Sequence, residues 1–356
     1  MRSSAISTMG LGHALIARPL MALMDSEKAH RRSLLALIGR LMLRVLYKPK
    51  QLKSNIFELD FSNPLGLAAG MDKKAEAMTG WENIGFGFIE IGGITMEEQD
   101  GNAKPRMFRS SKDKALVNRM GFNNPGSKKM AAHLGNCKKP SIPLFLNVGK
   151  SKITPLSDAA GDYAKTVKRC CPYVDGFVIN VSSPNTPNLR ELQKDEDLAK
   201  IIIAVKEFSA HKPVLIKIAP DLEDNQIKSI VDTARNLDCQ GIIATNTTVE
   251  RPHQSGIMNQ TGGLSGAPLK IRSTEVIRII ADHTDGSWPI IGVGGISNAD
   301  DAWEKIINGA CLIQIYSSLV FGGAGTIKKI VNGLNKKLKA HNLENIDQAV
   351  GLARRS

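Results

Sequence analysis

Gly176-Phe177-Val178-Ile179-Asn180-Val181 runs directly into Ser182-Ser183-Pro184-Asn185-Thr186. The first half is apolar on both alternating faces, as in a strand covered on both sides. The second half, rich in hydroxyls and amides, ends it. The same rhythm recurs at 64–69, 86–91, 143–148, 214–218, 241–245, 289–293 and 312–316. Helical stretches at 198–208, 226–237 and 299–308 lie between several of these runs. Eight strand–helix units over about 260 residues predict an α/β fold, a (β/α)8 TIM barrel, rather than a doubly wound sheet. Two intervals, 92–142 and 246–288, are too long for a crossover helix and are expected to hold insertions over the active face.

Working outward, the 356-residue chain is 42% hydrophobic and 23% charged, enough apolar content for a sizeable core. No apolar run in the basic amino-terminal stretch approaches the roughly 20 residues that span a bilayer. The net charge of +13 sits at the ends: residues 1–53 hold ten basic and two acidic side chains, residues 328–356 seven and two. A neutral body with 5% aromatics lacks the basic stripe of a nucleic-acid binder, whereas a basic front segment suits an anionic membrane surface. In that segment Leu34, Leu35, Ile38, Leu41, Met42, Val45 and Leu46 recur at helical spacing opposite Arg40 and Arg44, before a break at Lys48-Pro49-Lys50. It reads as a two-helix extension, either packed on the body or lying in a lipid interface. Gly12, His13 and Arg18 interrupt any apolar core there, so it reads as retained rather than as a cleaved signal. The five cysteines form no C-x-x-C and read as reduced, buried thiols.

Barrels of this type gather their reacting groups at the carboxyl ends of the strands. Those ends carry Ala69-Gly70-Met71-Asp72-Lys73, Gly92-Gly93, Asn147, Asn180 to Thr186, Lys217, Thr245-Asn246-Thr247, Gly294-Gly295 and Tyr316-Ser317. Amides, hydroxyls and lysines dominate. No histidine and no carboxylate–histidine cluster with metal-ligand spacing lies there, so neither a metal site nor a Ser-His-Asp triad is expected. Gly292-Val293-Gly294-Gly295-Ile296, followed by Ser297-Asn298-Ala299-Asp300 opening a helix, predicts phosphate binding after strand seven, and Tyr316-Ser317 with Gly322-Gly323 follows strand eight. Lys217 could set a positive charge beneath the pyrimidine end of a flavin. Its alternative is a barrel-bottom ion pair.

Six motifs together resemble the dihydroorotate dehydrogenase family, in its membrane-associated, quinone-dependent class 2. They are Leu67 to Lys73, Asn118-Arg119-Met120-Gly121-Phe122-Asn123, Asn180 to Thr186, Ile218-Ala219-Pro220-Asp221-Leu222, Ala244-Thr245-Asn246-Thr247-Thr248 and Gly262-Gly263-Leu264-Ser265-Gly266. The resemblance spans about residues 15–335. It implies one FMN per chain, (S)-dihydroorotate oxidised to orotate in pyrimidine biosynthesis, and ubiquinone or menaquinone as acceptor. Ser183 matches the catalytic base, with hydride passing to flavin N5. Lys73, Asn118, Arg119, Met120, Gly121, Phe122, Asn180, Asn185, Asn246 and Thr247 match substrate-binding positions. Ala69, Gly70, Met71, Asp72, Lys73, Gly93, Asn147, Asn180, Lys217, Thr245, Gly266, Gly295, Tyr316 and Ser317 match FMN positions, and His30 and Arg109 match a quinone tunnel. The chain departs from the pattern at Gly93 (usually Thr or Ser), at Thr95 to Gln99 (usually more Pro-rich) and at Asn188 (usually Gly).

The resemblance further implies a peripheral protein on the cytoplasmic face of the inner membrane and a monomer. The implied division is a helical membrane and quinone-access segment over 1–53, the barrel over 54–340 and a carboxy-terminal tail over 341–356. Residues 1–8 extend beyond the usual start, which leaves Met9 as an alternative initiator. Two other readings stay open on residues alone: another FMN barrel, such as a class 1 enzyme with cysteine at the base position, and a colourless basic binding module.

Overall fold

The computed structural model describes residues 24–38 and 49–355. Its first elements are helix α1 (Ser26–Ile38) and a hairpin of β1 (Ser54–Ile56) and β2 (Leu59–Phe61). The barrel strands follow as β3 (Leu65–Leu67), β4 (Phe88–Ile94), β7 (Leu144–Val148), β8 (Gly176–Asn180), β9 (Val214–Ile218), β10 (Gly241–Ala244), β12 (Ile290–Val293) and β13 (Leu312–Ile315). They pair in parallel in that order, and β13 closes on β3 through Ile313–Leu65 and Ile315–Leu67. Each expected apolar run is one of these strands, and their described residues are almost all buried. The architecture is a TIM barrel. Its outer helices are α2 (Met78–Asn83), α3 (Gly126–Asn136), α4 (Ala159–Cys170), α5 (Asp195–Phe208), α6 (Asp224–Asn236), α7 (Lys270–His283), α8 (Ala299–Ile307), α9 (Ser317–Gly322) and α10 (Gly325–Ala340).

Side chains alternate along a strand, so every second residue points into the barrel. Phe88, Phe145, Val178, Leu215, Ile243, Ile291 and Leu312 form one apolar layer with Phe61 of the hairpin. The Phe61 ring lies 5.4 Å edge-on to Phe88, and Phe57, at the hairpin turn, 6.2 Å from Phe145. The hairpin thus plugs the amino-terminal end. Gly66 belongs to the same layer: a Cβ there would sit 2.3 Å from the Phe88 ring, which occupies the space. Two residues further along the same strands stand Ala68, Glu90, Asn147, Asn180, Lys217, Thr245, Val293 and Gln314, a mostly polar layer above the apolar one.

The two long intervals meet over the carboxyl end. Strands β5 (Met107–Ser110) and β6 (Ala115–Asn118) come from the first and β11 (Gly263–Gly266) from the second; they make one antiparallel sheet in the order β11-β6-β5. Ala115, Val117, Met258 and Leu264 give this lid its own small core. Arg251 donates to the carbonyls of Met258, Gln260 and Gly262, among others, and so shapes the 248–262 loop.

Helix α1 docks onto the lid and α2. Leu34 and Leu37 are buried, while Leu35 and Ile38 face outward. The expected apolar face is therefore divided between body and exterior; Arg40, Leu41, Met42, Arg44, Val45 and Leu46 lie outside the described residues, as does the second helix of the expected pair. Glu27 pairs with Arg106 at 2.6 Å, and Arg31 with Glu76 at 2.6 Å. Within the stretch expected as a tail over 341–356, the described residues 341–355 continue the packed outer layer: Ile346 and Ala349 are fully buried, and Arg354 holds Asp282 at 2.6 Å. Among the described residues no helix is long and apolar enough to cross a membrane. The cysteines are free, and burial pushes the Cys170, Cys239 and Cys311 thiols up to about 12.

Candidate active site

The polar layer is the floor of a cleft of about 1050 Å³, part of it open to solvent, that the lid strands flank. At its centre Glu90 is fully buried. Its carboxylate accepts from Asn147 Nδ2 (2.6 Å) and Gln314 Nε2 (2.7 Å) and pairs with Lys217 Nζ at 3.4 Å. Asn180 Nδ2 donates to Asn147 Oδ1 (3.0 Å), and Asn246 Nδ2 donates to Asn180 Oδ1 (3.2 Å) and Ser182 Oγ (3.0 Å). The Tyr163 hydroxyl, fully buried, donates to the Asn180 carbonyl at 2.9 Å. One connected network thus fixes the amides that face the cleft. Lys217 is indeed in an ion pair, but in the cavity floor and not at the bottom of the barrel.

Glu90 and Gln314 were not singled out from the sequence. Their signal was a charged and an amide side chain at inward positions of otherwise apolar strands, two residues after Phe88 and Leu312. Gln314 Oε1 is buried, lines the cleft and has no hydrogen-bond partner among the described residues.

Above the floor the cleft is lined by Ser183, Asn118, Met120, Gly121, Phe122, Asn185, Asn246, Thr247 and Lys73. Ser183 Oγ accepts the Asn185 N–H at 3.3 Å, the serine turn that the sequence allows before Pro184. Asn185 Nδ2 donates to Asn118 Oδ1 at 3.2 Å, which ties the serine loop to the lid. Lys73 Nζ donates to the Gly70 carbonyl at 2.7 Å, and burial pushes its ammonium down to about 8. His30 of α1 lies beside Met71 and Lys73, and burial with the nearby Lys73 charge pushes it down to about 4, so the ring is neutral at pH 7. Arg109 Nη2 donates to the Met24 carbonyl at 2.7 Å, holding the start of α1 to the lid.

Three expected contacts lie elsewhere. Met71 and Asp72 do not line the cleft; the Asp72 carboxylate accepts from the Glu76 and Ala77 N–H groups and Trp81 Nε1, capping the turn into α2. Arg119 points away, donating to Gln260 Oε1 and the Pro105 carbonyl over the Phe108 ring. The expected helix amino end after β12 is also closed to an anion. Asn298 Oδ1 already accepts from Asp300 and Asp301 N–H, and both first-turn acids add negative charge. The anion-suited backbone is instead the turn at Gly294 (φ 124°) and Gly295 (φ 71°). A Cβ on Gly295 would fall 2.4 Å from Lys270 Cβ, so this turn packs against α7 and keeps its backbone open to the cleft.

The departures also find physical reasons. At Gly93 a Cβ would meet Asn147 Oδ1 and the Phe122 ring at 2.7 Å, so the ring fills the space a larger side chain would need. Asn188 has φ 57°, a left-handed conformation that Asn tolerates in place of Gly.

A parallel barrel with an open glycine turn, an amide-lined floor and a lidded mouth over the carboxyl ends of its strands is the architecture of a TIM-barrel enzyme; among the described residues no metal-ligating groups cluster. The family profile described as Dihydroorotate dehydrogenase matches residues 51–338. The chain is 48% identical over 320 residues to "Dihydroorotate dehydrogenase (quinone)" of Trichodesmium erythraeum, covering 86% of this chain and 85% of that one. It is 45% identical to the protein of the same name from Gloeobacter violaceus, covering 95% and 98%. The ligand-free structure of DHODH from Eimeria tenella superposes with a TM-score of 0.88 at 35% identity, covering 93% of this chain and all of that one. The chain belongs to the dihydroorotate dehydrogenase family, in its quinone-dependent class 2. Members of that class are flavin-dependent, peripherally membrane-associated oxidoreductases that convert dihydroorotate to orotate in pyrimidine biosynthesis.

Removing Glu90 leaves the Lys217 ammonium buried without its carboxylate, a change that typically costs about 3–5 kcal/mol. Glu90→Gln is expected to lose that much in denaturant unfolding of the flavin-free protein, and Glu90→Gln with Lys217→Met to recover most of it. A single variant as stable as the wild type would show that the pair is not closed.

Proposed function

We propose that this chain oxidises (S)-dihydroorotate to orotate with one FMN per chain and a quinone as final acceptor, Ser183 taking the C5 proton. What carries the reading is that the glycine turn, the polar floor and Ser183 all line one cleft. The residues fit FMN: the amide floor with Lys217 and Gln314, whose buried Oε1 lacks a partner among the described residues, would hold its flat ring, and the Gly294–Gly295 turn would hold its phosphate. Ala69, Gly70, Gly93, Asn147, Asn180, Thr245, Gly266, Tyr316 and Ser317 border the same space. When bound, FMN supplies the acceptor for the hydride leaving C6.

The chain's own residues do the rest. Lys73 pairs with the substrate carboxylate. Asn118 and Asn185, each with an amide N–H to spare, donate to the ring carbonyl beside C5 and so acidify its C–H, while Asn246 keeps both its N–H groups on Asn180 and Ser182; preorganised donors of this kind contribute about 3 kcal/mol each. A free hydroxyl is a poor base at pH 7, so this acidification is required. As Ser183 Oγ takes the C5 proton, its own hydroxyl proton leaves in the same step through water towards Thr186, buried three residues on, so the serine stays neutral overall. The Asn185 N–H holds that oxygen and stabilises the partial negative charge it carries while its proton departs.

Quinone reaches the cleft beside α1, where His30 lies beside Met71 and Lys73. The basic front segment attracts anionic lipid at the cytoplasmic face of the inner membrane. The chain acts as a monomer, as its resemblance to the class implies.

Ser183→Ala is expected to keep its FMN and to slow anaerobic flavin bleaching by dihydroorotate about 10²–10⁴-fold, with quinone reoxidation unchanged. Wild-type bleaching in that variant would remove the base assignment. Orotate affinity, read from the flavin absorption shift, is expected to fall as pH rises through about 8, because Lys73 loses its charge there. Lys73→Met is expected to lose this pH dependence and to bind about 10–100-fold more weakly at pH 7, as for a lost charged hydrogen bond. With quinone supplied in anionic vesicles, His30→Ala is expected to slow reoxidation while reduction stays normal, and added salt to release the wild type from the vesicles. Equal slowing of both half-reactions would make His30 a packing residue only.

A further inference from the structure

We infer that Arg190 is the positioning residue for the base: its guanidinium fixes the serine turn in register with the substrate-binding ends of the two neighbouring strands. The inference rests on the proposed role of Ser183.

The serine turn leaves β8 with Ser182 Oγ donating to the Lys217 carbonyl at 2.6 Å and Asn185 tied to Asn118, but among the described residues Ser183 Oγ itself is held only by the Asn185 N–H two residues on. Arg190 lies at the far end of that turn, in a short 3₁₀ helix (Leu189–Gln193) anchored by the buried Leu189 and Leu192. Its guanidinium reaches back across the loop. Nε donates to the Ser182 carbonyl at 3.1 Å, Nη1 to Asp221 Oδ2 at 2.8 Å and Nη2 to the Thr247 carbonyl at 3.2 Å. One planar group thus joins the segments following β8, β9 and β10.

Each bond has a consequence. The Ser182 carbonyl belongs to the same rigid peptide unit as the Ser183 nitrogen, so fixing that oxygen fixes the plane from which the Ser183 side chain departs. Thr247 belongs to the substrate-binding set, so its carbonyl gives the base a fixed distance to the substrate. Asp221 completes the clamp: its other oxygen accepts from Thr248 Oγ1 and from the Val249 N–H at 3.2 Å. Gln193 adds a second tie, accepting from the Ala219 N–H at 3.3 Å at the end of β9. Arg190 does not line the cleft, so it acts through Ser183 and not on the substrate. Three donors in one plane are a property of guanidinium that an ammonium lacks, so lysine keeps the charge and loses the geometry.

The test is anaerobic stopped-flow reduction of the holoenzyme by dihydroorotate, with wild type, Arg190→Lys, Asp221→Asn, Ser183→Ala and the double variant Ser183→Ala/Arg190→Lys. Wild-type bleaching establishes the underlying reading; its absence would defeat that reading and not the clamp specifically. Given bleaching, Arg190→Lys is expected to lower the limiting reduction rate about 10–100-fold, the scale of a misplacement near 1 Å. FMN content, melting temperature and reoxidation by quinone are expected to stay close to wild type. Asp221→Asn, which keeps the acceptor and loses the charge, is expected to show a smaller loss of the same kind. In the Ser183→Ala background Arg190→Lys is expected to cost nothing further, because a residue that acts through the serine has nothing left to position. Full multiplication of the two losses would overturn the inference, as would an unchanged reduction rate. A parallel fall of FMN content, melting temperature and both half-reactions in Arg190→Lys and Asp221→Asn would overturn it too, as the mark of a purely structural arginine.

Discussion

The interior of an eight-stranded barrel admits one side chain per strand at each level, and the residues two apart on a strand occupy successive levels. That constraint organises this molecule. Phe88, Phe145, Leu215 and their neighbours fill one level with hydrocarbon, and the hairpin closes it from below. The next level up has nowhere to go but the mouth, so Asn147, Asn180, Lys217, Thr245 and Gln314 become the floor of the cleft, with Glu90 buried among them. The apolar layer excludes water from beneath, and the polar layer satisfies its own charges within itself. Glu90 is tolerable at zero exposure because three donors converge on it.

Over this floor the chain places a lid made from two segments separated by more than a hundred residues. The pairing of β6 with β11 couples Asn118 to the region around Gly263, and Asn185 joins the same edge through Asn118. Helix α1 then leans on that lid through Glu27–Arg106 and through Arg109 on the Met24 carbonyl. Exposed ion pairs of this sort contribute little to stability, but Arg106 is nearly buried and also donates to the Asp100 and Asn102 carbonyls. The position of α1 is thereby tied to the loop that shapes the entrance. His30, carried on the buried side near Lys73, is kept neutral by that placement.

Electrostatics separate the two sides of the cleft. The Gly294–Gly295 turn offers its N–H groups, whereas the adjoining α8 terminus is closed by Asn298, Asp300 and Asp301. Lys270 pairs with Asp301 and Glu304 there, and the buried Lys305 donates to the Lys270 carbonyl, Ser273 and Thr274 behind it. Ser273 in turn donates to the Gly294 carbonyl at 3.0 Å. The glycine turn is therefore backed by an ordered polar layer and is not a loose loop.

The eight strands, the helices between them and the two long insertions were legible from local pattern, because a strand buried on both faces demands continuous apolarity and a barrel demands eight of them. Most cleft residues were legible for a related reason: they stand at strand ends, where the apolar run stops. What local pattern could not decide was the use of each polar group. Asp72 and Arg119 stand within motif stretches yet turn elsewhere, Asp72 to cap N–H groups four and five residues on and Arg119 to the Pro105 carbonyl and Gln260, 14 and 141 positions away. The helix opening at Asn298 looked free until its side chain folded onto its own first turn. Apart from the Arg190 bond to Ser182, eight positions back, Glu90, Gln314 and Arg190 meet partners between 31 and 224 positions away, and separation of that order leaves no local trace. Local sequence thus determined which segments are strands and where chemistry gathers; only closure of the barrel decided which side chains face one another, because hydrogen-bond partners are set by distance in space.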